Sequence, residues 1–266
     1  MNSEPRVRVQ VDGQGVCEVV LARPDKMNAL DAAMFQAIRD AIERVRNDPA
    51  VRVVLLHGEG RAFCAGLDKG NFEASAAGGN LVDDLLPRTH GKANAWQQVA
   101  WGWRQLPVPV IAAVHGVALG GGLQIALGAD VRLVHPQAKL GVLEIQWGIV
   151  PDMAGCALLT ELVRPDVARE LTYTGRMVSG AEAVALGLAT RVCEDPLAEA
   201  RELARQIAAR NPGAVRSAKR LFNDASPVDA AAVLLAESRE QQAILGTENQ
   251  VEAVRAALER RAPRFR

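Results

Sequence analysis

Aromatic residues are scarce: five Phe, four Trp and one Tyr among 266 residues. With apolar residues at 49%, a core must be built mainly from Val, Leu, Ile and Ala. Trp96, Trp101 and Trp103 therefore read as helix packing or pocket wall rather than as a platform for stacking bases. An excess of either charge is also missing, with 31 Lys plus Arg against 31 Asp plus Glu. A balanced chain has no long-range field to draw in nucleic acid or an anionic membrane, although a small basic pocket for one phosphorylated ligand remains open.

Cysteines are few. Cys17, Cys64, Cys156 and Cys193 form no CxxC pair, and His57, His90, His115 and His135 show no ligand spacing. Reduced thiols, a cytoplasmic location, no metal and no separate cofactor are expected. The opening MNSEPRVRVQ lacks the apolar stretch of a secretory signal. Leu106–Ala129 lacks Asp, Glu, Lys and Arg and is long enough to cross a bilayer. Yet Pro107, Pro109, His115, Gln124 and five glycines divide it, which suits a strand, a glycine turn and a buried helix better. There is no GxSxG elbow, no GxxxxGK[ST] loop and no GxGxxG, so serine hydrolase and nucleotide-binding readings lack support.

Positive signals run along the chain in order. Residues 6–11 and 15–22 flank Asp12-Gly13 and predict a hairpin. Asp31 caps a predicted helix to Asn47 with Met34, Phe35, Ile38, Ile42 and Val45 on one face. Val51–His57 and Val110–His115 read as buried strands, Lys92–Gln105 and the segment from the glycine triplet to Gly128 as helices, and Val131–Val134 as a strand. Residues 73–91 have no clean period and suggest a lid rather than core. Beyond Pro196 the chain turns to Ala, Arg, Glu and Leu at helical spacing. The expected organisation is an α/β core over residues 1–195 and an α-helical region over 196–266.

Two glycine loops share the order strand, turn, helix: GEGRAFCAGLD at 58–68 and ALGGGLQ at 118–124. Each aims free N–H groups and a helix dipole at its turn. Paired donors for one oxygen, and close packing of a buried helix on a strand, are both consistent with the triplet.

RPDKMNAL at 23–30, AFCAGLD at 62–68, HGVALGGGLQIALGAD at 115–130 and KLGVLEIQWGIVPDMAGCALLTELV at 139–163 resemble the crotonase, or enoyl-CoA hydratase/isomerase, superfamily. The resemblance implies a crotonase-like α/β spiral of ββα units with an α-helical C-terminal trimerisation region. It also implies a homotrimer, or a hexamer of two trimers, and an acyl-CoA thioester as ligand, with coenzyme A part of the substrate.

By the same resemblance, the N–H groups of Leu67 and Gly121 form an oxyanion hole. Deprotonation next to a thioester puts charge on the carbonyl oxygen, and one preorganised donor lowers such a barrier by about 3–4 kcal/mol. Arg23, Lys26, Ala62, Cys64, Ala65, Gly66 and Asp68 match the segments that hold CoA, and Lys219 falls where some members place a cation near it.

Gln124 and Glu144 correspond to two glutamates that hold a water in hydratases. An amide cannot take a proton at neutral pH, so Gln124 departs from that mechanism; it binds substrate or is simply a satisfied buried amide. Glu144 is the expected base. Asp152, eight residues on, matches a carboxylate of dienoyl-CoA isomerases and some acyl-CoA hydrolases, or else caps a helix starting near Met153. The preferred reaction is a double-bond shift in an enoyl- or dienoyl-CoA, since one proton shuttle needs no activated water. Hydration, thioester hydrolysis and non-catalytic acyl-CoA binding are the alternatives.

Overall fold

The computed structural model describes residues 5–68, 70–71 and 84–265. The hairpin forms as expected: β1 (Val7–Val11) pairs antiparallel with β2 (Val16–Leu21), Val9 opposite Val19. Asp12 accepts the N–H groups of Gln14 and Val16 through one oxygen and so closes the turn. Helix α1 (Ala32–Asn47) starts where Asp31 accepts the Met34 N–H at 2.8 Å. Its buried face carries Met34, Phe35, Ile38, Ile42 and Val45.

The chain then repeats strand and helix. β3 (Val53–Gly58) lies parallel to β2. After α2 (Gln98–Gln105) come β4 (Val110–Val114), β5 (Val117–Leu119), α3 (Gly121–Leu127), β6 (Val131–Val134) and β7 (Lys139–Gly141). Next are α4 (Gly155–Leu162), α5 (Pro165–Thr174), β8 (Met177–Ser179), α6 (Gly180–Leu186) and β9 (Arg191–Val192). The larger sheet has the order β1-β2-β3-β4-β6-β9, parallel after the first hairpin, and the smaller β5-β7-β8. Four helices follow: α7 (Pro196–Ala208), α8 (Pro212–Asp224), α9 (Ala230–Ile244) and α10 (Glu248–Glu259).

Why Val53–Leu56 of β3 and all of β4 are apolar is clear from what covers them. Val54, Leu56, Val110 and Ala112 share a cluster with Met34, Ile38 and Trp103. Val53, Leu55, Ile111 and Ala113 pack with Ala200, Ala204 and Ala208 of α7. Strands buried on both faces lose the polar alternation of a half-exposed sheet.

Three expectations need correction. The helix expected from Lys92 starts only at Gln98, because Asn94 accepts the N–H groups of Trp96 and Gln97 in a side-chain turn. Of the expected lid, residues 73–83 lie outside the described residues. The remainder belongs partly to the core: Leu85 is buried, and Arg88 donates to the side chains of Gln97 and Ser238. Lys219 does not reach a ligand site. It is buried, and its Nζ donates to the carbonyls of Trp103 and Val108 and to Asp130 at 2.8 Å. Among the described residues no helix is long and apolar enough to cross a membrane.

Candidate active site

The turn at 23–30 and the loop at 58–68 are fastened by Asn28. Asn28 is fully buried and adopts φ +56°. Its Nδ2 donates to the carbonyls of Glu59, Ala62 and Phe63, and its Oδ1 accepts the Arg23 N–H. The loop is then held on both sides. Cys64 receives the Leu119 N–H on its carbonyl and donates its own N–H to Val117. Leu30 donates to the Gly66 carbonyl and accepts from Asp68 N–H. In that extended pairing the Leu67 N–H faces away from Leu30. Gly66, at φ +84°, leaves no room for a side chain: a Cβ would lie 2.5 Å from the Leu119 carbonyl oxygen.

Of the two readings of the triplet, close packing is seen directly. A Cβ at Gly122 would lie 2.4 Å from the Cys64 carbonyl oxygen, so this glycine permits close packing. Gly121 begins α3, and its N–H has no partner within a helix that starts there. Gly120, at φ +51°, brings the backbone beside Glu144, where a Cβ would sit 3.1 Å from Oε1. Among the described residues neither the Leu67 N–H nor the Gly121 N–H has a protein acceptor, and both residues line one cavity of about 410 Å³.

Glu144 enters that cavity from a 3₁₀ turn, Glu144–Trp147, just beyond β7. It is 6% exposed. Gln124 Nε2 donates to Oε1 at 2.6 Å, while Oε2 is sealed from solvent without a partner. Burial raises its pKa to about 7, against the lowering effect of the Gln124 bond and nearby backbone N–H groups. The orientation of Gln124 is fixed by its other end, since Oε1 accepts the Met153 N–H at 2.9 Å. Gln124 is thus a satisfied amide and a cavity wall at once.

Asp152 lines the same cavity and is 8% exposed. It does not cap a helix at Met153, because α4 starts at Gly155 behind Ala154 in the left-handed region. The first N–H groups there belong to Glu237 of α9: Ala154 donates to it at 2.9 Å, Cys156 at 3.0 Å and Ala157 at 3.2 Å. Burial pushes the Asp152 carboxyl well above its usual range, and the neighbouring charges of Glu237 and Glu144 add to the shift.

The expected CoA residues divide. Lys26, Ala65, Gly66 and Asp68 line the cavity. Arg23 does not; its guanidinium pairs with Asp68 at 2.5 Å and Asp31 at 3.5 Å, so it clips the two loops together. Ala62 is buried behind the wall, its carbonyl taken by Asn28. Cys64 is buried too, with its thiol donating to the Asn28 carbonyl and pushed up to about 12 by burial, which leaves no thiolate nucleophile. Trp96 joins the cavity wall, whereas Trp101 and Trp103 belong to the core.

Sequence reasoning missed Glu237 and Gln241, which α9 brings to the site. The signal was present: Leu234, Glu237, Ser238 and Gln241 recur at i, i+3, i+4 and i+7, and all four are buried. Three polar members made the stripe look solvated. Among the described residues no group of His, Cys, Asp and Glu could hold a metal ion.

The sequence profile of the family described as enoyl-CoA hydratase/isomerase matches residues 12–266. The chain belongs to this family. A probable enoyl-CoA hydratase of Mycobacterium bovis is 34% identical over 95% of each chain. The human mitochondrial methylglutaconyl-CoA hydratase is 30% identical, over 100% of this chain and 79% of that one. The crystal structure of carnitinyl-CoA hydratase from Mycobacterium avium superposes with a TM-score of 0.84 at 30% identity, covering 99% of each chain. As a family member the protein is an acyl-CoA-processing enzyme with the crotonase fold. Two unpaired amides face a cavity that also holds two carboxyl groups, an arrangement able to take up oxyanion charge and transfer protons in one place.

Proposed function

We propose that the protein catalyses the reversible hydration of a 2-enoyl-CoA. The reading rests chiefly on the Glu144 carboxyl, buried in the wall of the cavity with its Oε1 beside the Gly120 turn. The Leu67 and Gly121 N–H groups would hold the thioester oxygen, and Lys26 at the exposed rim would meet the CoA phosphates. Glu144 takes a proton from water as its oxygen bonds to C3; the electron pair moves through C2 to the thioester oxygen. The same carboxyl then returns a proton to C2. Water is thereby added across the double bond, and CoA within the substrate is the only cofactor moiety required. Asp152, whose carboxyl burial shifts toward the neutral form, lines the same cavity and stands in for the second acid. A pKa of about 7 at Glu144 suits a group that both accepts and returns a proton.

The names of relatives lend support, since the Mycobacterium bovis and human proteins above are both called hydratases. A double-bond shift is the second reading. It is favoured by Gln124, whose nitrogen and oxygen are already engaged with Glu144 and Met153. A homotrimer or a hexamer is proposed as the assembled form, supported by Leu221 and Phe222 of α8, 69% and 76% exposed.

Crotonyl-CoA and a 3-enoyl-CoA offered separately to the purified protein distinguish these readings. Hydration predicts 3-hydroxybutanoyl-CoA from the first. Conversion of the 3-enoyl-CoA to its 2-enoyl isomer with crotonyl-CoA inert would establish the second reading. Binding of both with turnover of neither would mean a non-catalytic protein.

A further inference from the structure

Two buried polar side chains in the cavity wall have donor capacity that the protein does not use. Gln241 of α9 is 4% exposed, and its Oε1 accepts the Val150 N–H at 2.9 Å. That bond points its Nε2 away from Val150. Among the described residues Nε2 has no hydrogen-bond partner, and it is not among the buried atoms sealed off without one. Gln241 lines the cavity.

Two residues along from Val150, the Asp152 side chain also lines the cavity with no side-chain partner among the described residues. Its N–H returns to the Val150 carbonyl at 2.9 Å, so Asp152 and the Gln241 amide sit on either side of one turn. Burial and the charges of Glu237 and Glu144 push the Asp152 carboxyl toward the neutral form, the form that can donate.

An alkyl chain against this wall would strip water from both groups and give nothing in return. A chain with an oxygen function would accept from them. A terminal carboxylate fits poorly, because Glu144, Asp152 and Glu237 already crowd acidic groups into this part of the molecule. We infer that the preferred substrate, given the acyl-CoA reading above, carries a neutral oxygen function, a hydroxyl or carbonyl, on its acyl chain, and that Gln241 selects for it.

Binding of saturated thioesters tests this without requiring turnover, so its outcome is separate from the fate of the hydratase assignment. Isothermal titration would compare hexanoyl-CoA with 5-hydroxypentanoyl-CoA, and pentanoyl-CoA with 4-hydroxybutanoyl-CoA, each pair exchanging a methyl for a hydroxyl. The wild-type protein should bind at least one hydroxylated partner about tenfold more tightly than its alkyl match. Gln241→Leu should abolish or reverse that preference. Gln241→Met keeps the length of the side chain without any donor, and it should abolish the preference as well. Tighter wild-type binding of the alkyl member in both pairs would overturn the inference. So would a hydroxyl preference that persists undiminished in both variants.

Discussion

Replacing Glu144 with Gln gives a test in which stability and activity should move in opposite directions. In the folded protein Glu144 titrates at about 7, against an ordinary value of 4.5. The folded state therefore binds its proton more tightly than the unfolded chain. The associated stability is fully present below about pH 4.5, is lost as the pH rises, and stops changing above about pH 7. Between pH 5 and pH 8 that loss amounts to about 2–3 kcal/mol for this one group. Glu144→Gln removes the titration but keeps the shape. Urea unfolding at a series of pH values should give curves for the two proteins that differ by an amount changing by about 2–3 kcal/mol across that range. Over the same range, hydration of crotonyl-CoA should fall by a factor of about 10³. A constant stability difference at every pH would refute the desolvated-acid description. Undiminished turnover in the variant would remove Glu144 from the mechanism.

Gln124→Glu places a second carboxyl at hydrogen-bond distance from Glu144, and the pair should then share one proton near neutral pH. With a water-holding acid restored, hydration of crotonyl-CoA should rise about tenfold or more, as read from initial rates. Gly122→Ala drives a Cβ into the Cys64 carbonyl and should lower the unfolding free energy by about 3 kcal/mol in urea titrations. Glu237→Ala leaves the N–H groups of Ala154, Cys156 and Ala157 without their acceptor, and a loss of about 3 kcal/mol or more is expected from the same measurement.

Local features read well from the sequence because local physics produces them. The Asp12-Gly13 hairpin, the Asp31 cap and the apolar face of α1 depend on neighbours within a few residues. The apolar runs at β3 and β4 were legible because burial on both faces leaves one composition. Lysine and arginine partners were not legible. Arg23 meets Asp68 and Lys219 meets Asp130, and nothing along the chain tells an internally paired cation from one awaiting a phosphate. The four-residue stripe on α9 failed for a related reason: Glu237 looks solvated until the α4 N–H groups it accepts are known. Glu144 and Asp152 were found through quoted motifs; their shared cavity came only from the fold.

Glu237 and Gln241 stand nearly a hundred residues downstream of Glu144, yet one fastens the start of α4 and the other borders the cavity. During synthesis Leu67, Gly121 and Glu144 therefore leave the ribosome well before the helix that completes the wall of their cavity. A nascent chain halted before α9 would present its acids to water rather than to a thioester. The cavity is thus complete only after almost the whole polypeptide has been made.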